Sequence, residues 1–307
     1  MKQFLLVISV ILGFVQVQAK EAYAIYNNGT LTLYYDNAKS SRSGTVYEVP
    51  NATCNLPQIP YASMLVYMGP VGHPWHEKRE STSIIVIDPS FADYRPTITY
   101  GWFTSFSVTE IRGLKYLNTS QVTNMRYMFA GCQYLTELDL SCFTITDDSK
   151  ASNLCFSCLQ LQKVTFGNTV TTIGIDAFCN CVVLSSLSIP NSVRKIGSGA
   201  FHNCYSLTTI NSGIVSPYEI PSGAFYKDTK KNATLIVPNG TKALYETTDG
   251  WKEFQHISQS GTSRVESIPV DETSETMIYN LNGQQVKTPQ KGILILRNGK
   301  NTIRVSR

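Results

Sequence analysis

The chain has 307 residues, 42% of them hydrophobic and 16% charged, which excludes a disordered or low-complexity protein and leaves room for one long domain with appendages. Its formal net charge of +4 hides an asymmetry: Lys287, Lys291, Arg297, Lys300, Arg304 and Arg307 lie in a tail without acids, and apart from these and Lys2 the chain carries 19 basic against 22 acidic groups. A mildly acidic body with a basic tail argues against a nucleic-acid binder, whose basic groups gather on the folded face.

The first residues read as a secretory signal: Lys2, an apolar core from Phe4 to Val15, and Val17-Gln18-Ala19 as a small-residue cleavage site. A signal peptide over 1–19 puts the mature start near Lys20 and the protein in an oxidising setting. No cysteine follows the cleavage site, which argues against a lipid anchor, and no internal run is long enough for a transmembrane span. Residues 20–112 do not repeat. YAIYNNGTLTLYYDN alternates apolar and polar residues around Asn27-Asn28-Gly29 and predicts a β-hairpin. A polar loop with His76-Glu77-Lys78-Arg79-Glu80 precedes a strand at Ser83–Asp88. Together these predict a β-rich N-terminal cap that covers the first repeat.

From 113 to 257 the sequence repeats itself. The unit Phe-x-x-Cys-x-x-Leu-x-x-apolar-x-apolar recurs as FAGCQYLTELDL, CFSCLQLQKVTF, FCNCVVLSSLSI and FHNCYSLTTIN, with Cys132, Cys158, Cys181 and Cys204 in one place, 26, 23 and 23 residues apart. A period of this length marks a leucine-rich-repeat solenoid, whose units must stack to bury their apolar side. Leu138 and Leu140, Val164 and Phe166, Leu187 and Ile189, and Leu235 and Val237 alternate as short parallel strands with one buried face, leaving Asp139, Thr165, Ser188 and Ile236 outward. Pro190 and Pro238 end their strands. Cys142, Asn168, Asn191 and Asn239 hold the following turn, where a side-chain amide can bond free peptide groups of neighbouring copies. Val170, Ile173, Ala177 and Phe178, then Val193, Ile196, Ala200 and Phe201, supply a second buried stripe. Met125, Met128 and Phe129 take those slots in an earlier variant copy. The last copy is degraded, with Asp228 in the cysteine position. A strand and short helix follow, with Leu244, Trp251 and Phe254 as apolar contacts of a C-terminal cap.

Eight cysteines in an exported chain raise the question of disulfides. Equivalent side chains on stacked copies lie about 4.8 Å apart, wider than the roughly 3.8 Å between Cβ atoms of a disulfide. Free buried thiols are therefore expected, with Cys155 standing where other copies have Phe. Residues 258–275 form a flexible linker rich in Ser, Thr, Gly and Glu. Residues 276–307 return to order as MIYNLNGQQV, ILIL and NTIRV, three short strands joined by turns at Thr288–Gly292 and Arg297–Lys300. This β-unit is too small to be stable without a partner, which suits recognition or anchoring.

Catalytic signatures do not emerge. His76-Glu77-Lys78-Arg79-Glu80 resembles the start of a zinc-protease helix without its second histidine and reads as a charged surface loop. The four histidines are scattered, and no nucleophile elbow, phosphate-binding glycine loop or calcium loop is present. No enzyme, catalytic residue, cofactor or metal is expected.

SQVTNMRYMFAGCQYLTELDL, the NCYSLTTI-type copies and DPSFADYRPTITYGWF resemble the BspA-like leucine-rich-repeat surface proteins, over about residues 20–257. YNLNGQQVKTPQKGILILRNGKNTIRV is similar to the C-terminal sorting domains of the type IX secretion route, through Tyr279, Leu281, Gly283, Val286, Pro289, Gly292, Ile293, Gly299 and Lys300. The resemblance implies a right-handed coil and a secreted, cell-surface protein without catalytic activity. It further implies adhesion to host extracellular-matrix proteins or to other cells, and contact with the secretion machinery through 276–307. The residues themselves also allow a surface glycan-binding or nutrient-capture component, for which Tyr134, Tyr205, Tyr218 and Tyr226 are the candidate aromatic platform. A monomer is expected.

Overall fold

The computed structural model describes residues 19–49 and 73–260, together with the backbone of 277–279, 285–286, 293–298 and 301–306. The signal segment, apart from Ala19, lies outside the described residues, as do Cys54 and the linker beyond Ser260. The chain divides into two compact units, Met1–Ser260 and Gly261–Arg307.

In the first unit, β1 (Glu21–Asn27) and β2 (Thr30–Asp36) form the expected antiparallel hairpin. Asn28 and Gly29 turn it with φ of 45° and 79°, the left-handed pair that a tight hairpin with right-handed twist demands. β3 (Thr45–Glu48) joins the outer edge of β1. The other edge of β2 is taken, in parallel, by β4 (Ile84–Ile87), and β4 in turn by β5 (Glu110–Arg112). Leu31 and Leu33 stand beside Ile85 and Ile87, all four buried. The hairpin thus supplies the first rung of a parallel row and covers an edge that would otherwise be unpaired.

The row continues copy by copy through β6 (Glu137–Leu140), β7 (Lys163–Phe166), β9 (Ser186–Ile189), β11 (Thr209–Ser212), β12 (Thr234–Val237) and β13 (His256–Gln259). Between them, on the return path, β8 (Thr172–Ile173) pairs in parallel with β10 (Lys195–Ile196). The in-out alternation is as the pattern predicts: Leu138, Leu140, Val164, Leu187, Ile189, Leu235 and Val237 are buried, and Asp139, Thr165 and Ser188 are exposed. Ile236 is half-buried, and β9 and β12 stop at the residue before Pro190 and Pro238. Phe166 departs from the pattern, since it is only half-buried.

On the opposite edge the copies are joined by a second set of backbone bonds. Phe103, Phe129, Cys155, Phe178 and Phe201 each donate N–H to a carbonyl one copy later, on Met128, Leu154, Ala177, Ala200 and Ala224, at 2.7 to 2.9 Å. The rings of Phe178, Phe201 and Phe225 stack at 5.6 and 5.1 Å with interplanar angles of 7° and 15°. Stacking of this kind begins with Phe103 on Phe129, earlier than the Gly113 start of the repeat read from sequence, because Phe106 fills the cysteine slot of that copy.

The repeat turns twice through left-handed backbone. Gly101, Tyr127, Asn153, Asp176 and Gly199 hold one such position, and Ser105, Gly131, Ser157, Asn180 and Asn203 the other, all with φ between 51° and 71°. The short polar residues and glycines that precede each cysteine are there because few side chains tolerate this conformation.

One hydrophobic core runs from Ala24 to Phe254. At its C-terminal end the expected cap residue Leu244 is 50% exposed, and Tyr245 is the buried one. The one-turn helix α2, which follows α1 (Asp148–Ala151), is Lys227–Asn232, and α3 is Lys242–Tyr245. α3 turns Tyr245 inward so that its hydroxyl donates to Ile214 O at 2.8 Å. Trp251 and Phe254 are buried as expected. In the second unit, β14 (Met277–Tyr279), β15 (Gln285–Val286), β16 (Ile293–Asn298) and β17 (Asn301–Ser306) form an antiparallel sheet in the order β15-β14-β16-β17. There are four strands rather than three, because MIYNLNGQQV folds back on itself and pairs Ile278 with Val286.

Candidate binding face

The outward positions of the parallel row form a polar face whose chemistry changes along its length. Near β5, β6 and β7 it is charged: Arg112 bonds Glu110 at 2.6 Å, and Lys163 faces Glu137 at 3.8 Å. These side chains are all more than half exposed, so the pairs add little stability and remain available. Beyond β7 the face is uncharged, with Thr165, Ser186, Ser188, Thr209, Asn211 and Thr234.

The row is interrupted twice. Among the described residues, sheet pairing joins β6 to β7 and runs β9-β11-β12-β13, but does not join β5 to β6 or β7 to β9. The first interruption coincides with a change in chain length. Five residue steps separate Phe106 from Ile111, where the later copies use six, as from Cys132 to Leu138 and from Cys181 to Leu187. The second interruption lies where the spacing of the ladder cysteines falls from 26 to 23 residues. A groove opens at each. The first, of about 360 Å³, is lined by Glu110, Ile111, Glu137, Asp139, Lys163 and Thr165 among others. The second, of about 520 Å³, includes Lys163, Thr165, Phe166, Ser186, Ser188 and Asn211.

The second interruption also explains Phe166. Its ring still meets Phe178 edge-on at 5.5 Å, but the strand beside it has moved away and left one side open. Both flanks of the opening remain closed by backbone bonds: Ser157 N–H to Cys179 O at 2.8 Å and Arg194 N–H to Thr171 O at 2.7 Å.

The four ladder cysteines are free and buried, as are Cys155 and Cys179, while Cys142 is free and exposed. Each ladder thiol donates to a carbonyl one copy earlier: Cys132 to Phe103 and Cys158 to Phe129, both at 3.1 Å, Cys204 to Phe178 at 3.3 Å, and Cys181 to Cys155 at 3.5 Å. A small apolar side chain with a weak donor suits this slot. Burial pushes the Cys179 and Cys204 thiols up to about 12 and those of Cys132, Cys155 and Cys181 well above their ordinary value, so these sulfurs are inert.

The turn amides are partly where the pattern puts them. Asn191 accepts from Val215 N at 3.2 Å in the next copy. A second amide ladder was hidden in the left-handed position before the cysteine: Asn203 Nδ2 donates to Asn180 Oδ1 at 2.8 Å, and Asn180 Nδ2 to Ser157 Oγ at 3.2 Å. The Asn-Cys pairs at 180–181 and 203–204 were its only signal.

The candidate tyrosines do not form one platform. Tyr205 and Tyr226 meet edge-on at 5.1 Å, with His202 5.5 Å from Tyr226. Tyr134 is exposed outside this group, and Tyr218 is half-buried with its hydroxyl buried and unpaired.

His76, read as part of a charged surface loop, is instead 2% exposed in a 3-10 turn over Pro74–Lys78. Trp75 anchors that turn by donating to Trp102 O at 2.7 Å, which draws His76 under Gly101 and Trp102. His76 Nε2 donates to Gly101 O at 3.0 Å, and His73 Nε2 to Tyr100 O at 2.7 Å. Burial pushes His76 down to about 4 and lowers His73 as well. Among the described residues no group of three or more His, Cys, Asp or Glu is placed to hold a metal ion, and no helix is long and apolar enough to cross a membrane.

Comparison with curated proteins gives no match. Among solved structures, the chain is similar to the pneumococcal vaccine antigen PcpA at 17% identity and a TM-score of 0.36, covering 72% of this chain and 65% of that one. It is similar to a leucine rich cell surface protein from Faecalibacterium prausnitzii A2-165 at 12% identity and a TM-score of 0.16, covering 79% of this chain and 94% of that one. The repeats themselves are matched directly: residues 149–248 fit the BspA type leucine rich repeat region in 6 copies.

Proposed function

We propose that this is an exported, cell-surface binding protein without catalytic activity, which adheres to matrix proteins or to other cells through the outward face of its parallel strands. The observation that carries this reading is the face itself: a row of exposed polar side chains on strands that pair from β6 to β7 and from β9 to β11, with the return edges of the copies joined by backbone bonds. Such a face offers many weak contacts in register without a large ordering cost, which is what recognition needs. In the same reading the copies, expected over 113–257 and begun in the fold at Phe103, coil as a right-handed solenoid behind the N-terminal cap. The linker expected at 258–275 starts only after Gln259, since Ser258 and Gln259 belong to β13, and 276–307 engage the secretion machinery.

The test measures adhesion of purified protein to immobilised extracellular-matrix proteins and to intact cells. The double variant Asp139→Lys, Lys163→Glu should lose most of the binding while melting at the same temperature as the parent. Binding that is absent in the parent, or untouched by the variant, overturns the reading. For export, antibody labelling of intact cells should find the full chain and not a chain that ends at Glu275.

One observation supports the second reading, a glycan ligand. The exposed large apolar residues among the described ones, Val46, Tyr134, Ile175, Tyr205, Val215 and Leu244, all lie off the parallel row, so the face carries none of the fully exposed apolar anchors on which protein interfaces depend.

A further inference from the structure

The opening between β7 and β9 differs from the rest of the face in three ways. It is concave, with a volume of about 520 Å³. Its two walls are strand edges whose inward backbone groups find no partner across it among the described residues. One copy later the equivalent edge is closed, where Thr208 N–H donates to Ser185 O at 3.0 Å. Unpaired strand edges seek donors and acceptors from whatever enters.

The lining narrows the choice of ligand. Lys163 is the one charged residue in it, and the remaining polar groups include Thr165, Ser186, Ser188 and Asn211. The half-buried Phe166 is among the lining residues of the same groove. Hydroxyls and an amide beside an aromatic ring suit a ligand that is itself uncharged, rich in hydroxyls and apolar on one face. An extended peptide is excluded from the gap by width: Cα atoms of β7 and β9 still come within 8 Å of one another, whereas an inserted strand needs two spacings of about 4.8 Å. A hydroxyl group needs far less room.

We infer that the groove between β7 and β9 binds a neutral oligosaccharide. Its hydroxyls pair with the free strand edges and with Thr165, Ser186, Ser188 and Asn211, and the apolar face of one sugar ring lies on Phe166. This rests on the strand face being the binding surface.

The test uses the full chain and four neutral trisaccharides, maltotriose, cellotriose, laminaritriose and chitotriose, in calorimetric titrations, with thermal melting as the check on folding. At least one should bind. Asn211→Ala should weaken it about fivefold, the loss of one neutral hydrogen bond. Ser188→Trp, which fills the groove from an exposed position, should abolish it, and Tyr205→Ala should leave it unchanged. The inference is overturned if none of the four binds, or if binding survives both Asn211→Ala and Ser188→Trp. Should matrix-protein adhesion persist while no trisaccharide binds, the oligosaccharide site falls and the strand face stands as a protein-docking surface. Loss of adhesion on changing the face, with no sugar bound, points to the same outcome.

Discussion

Replacing Phe201 by alanine would remove the central ring of the stacked edge. Phe201 is fully buried and lies between Phe178 at 5.6 Å and Phe225 at 5.1 Å, nearly parallel to both. Emptying a buried phenylalanine site destabilises by about 3–5 kcal/mol, and losing two stacked pairs at roughly 0.5–1.5 kcal/mol each places this site at the upper end. A loss of about 4–5 kcal/mol is a large part of the ~5–15 kcal/mol that holds a typical domain together. Urea unfolding followed by tryptophan fluorescence reports it well, because Trp251 lies 6.0 Å from Phe225 and senses the same stack. Tyr205→Ala, at a site 60% exposed, should cost less than about 1 kcal/mol. Equal losses at the two sites, or a loss below about 1.5 kcal/mol at Phe201, would refute the stacked edge as a source of stability.

Four further outcomes follow from the same geometry. Cys155→Phe restores the ring missing between Phe129 and Phe178, yet Cys155 is fully buried, so overpacking should destabilise by about 1–3 kcal/mol in the same urea assay. Asn180→Ala loses both the amide ladder and a residue that tolerates a φ of 62°, and should cost about 1–2 kcal/mol more than Asn180→Gly, which keeps the backbone freedom. His76 is held neutral at about 4 in the fold against about 6.5 unfolded. Its contribution is therefore complete above pH 6.5 and is lost as pH falls through 4, a change of about 3 kcal/mol; melting temperatures at pH 7, 5.5 and 4 should show the fall, and His76→Gln should flatten it. Thiol labelling of the unfolded, unreduced protein should find Cys132, Cys158, Cys181 and Cys204 all reactive, and finding them bonded to one another would contradict the ladder.

The parts of the fold that could be read in the sequence are those fixed by period. The cysteine spacing, the alternation in β6, β9 and β12 and the apolar stripe through Val170, Ile173, Val193 and Ile196 each follow from one residue needing the same environment in every copy. Cys155 was legible as a phenylalanine position for that reason. What escaped depends on departures from the period. Phe166 has the right place for a buried residue, but β9 does not pair with β7 and leaves one side of it open. Leu244 and Tyr245 are adjacent on a one-turn helix, where no period exists to decide which faces inward. His76 sits among charges that remain outside, so only the tertiary bond from Trp75 to Trp102 reveals its burial. The candidate face was legible as a polar row. Its grooves were not, because they arise from strands that fail to pair.

The gap between β7 and β9 is tested most directly by amide hydrogen exchange at equivalent positions in successive copies. Thr208 N–H is bonded to Ser185 O and should exchange slowly, with the protection of a closed parallel pair. Ser185 stands one copy earlier, at the edge that faces β7, and its amide should exchange at least tenfold faster. Peptides covering 183–189 and 206–212 separate the two in a single time course. Equal slow exchange in both would mean that the strand row is continuous, and would remove the groove on which the binding site depends.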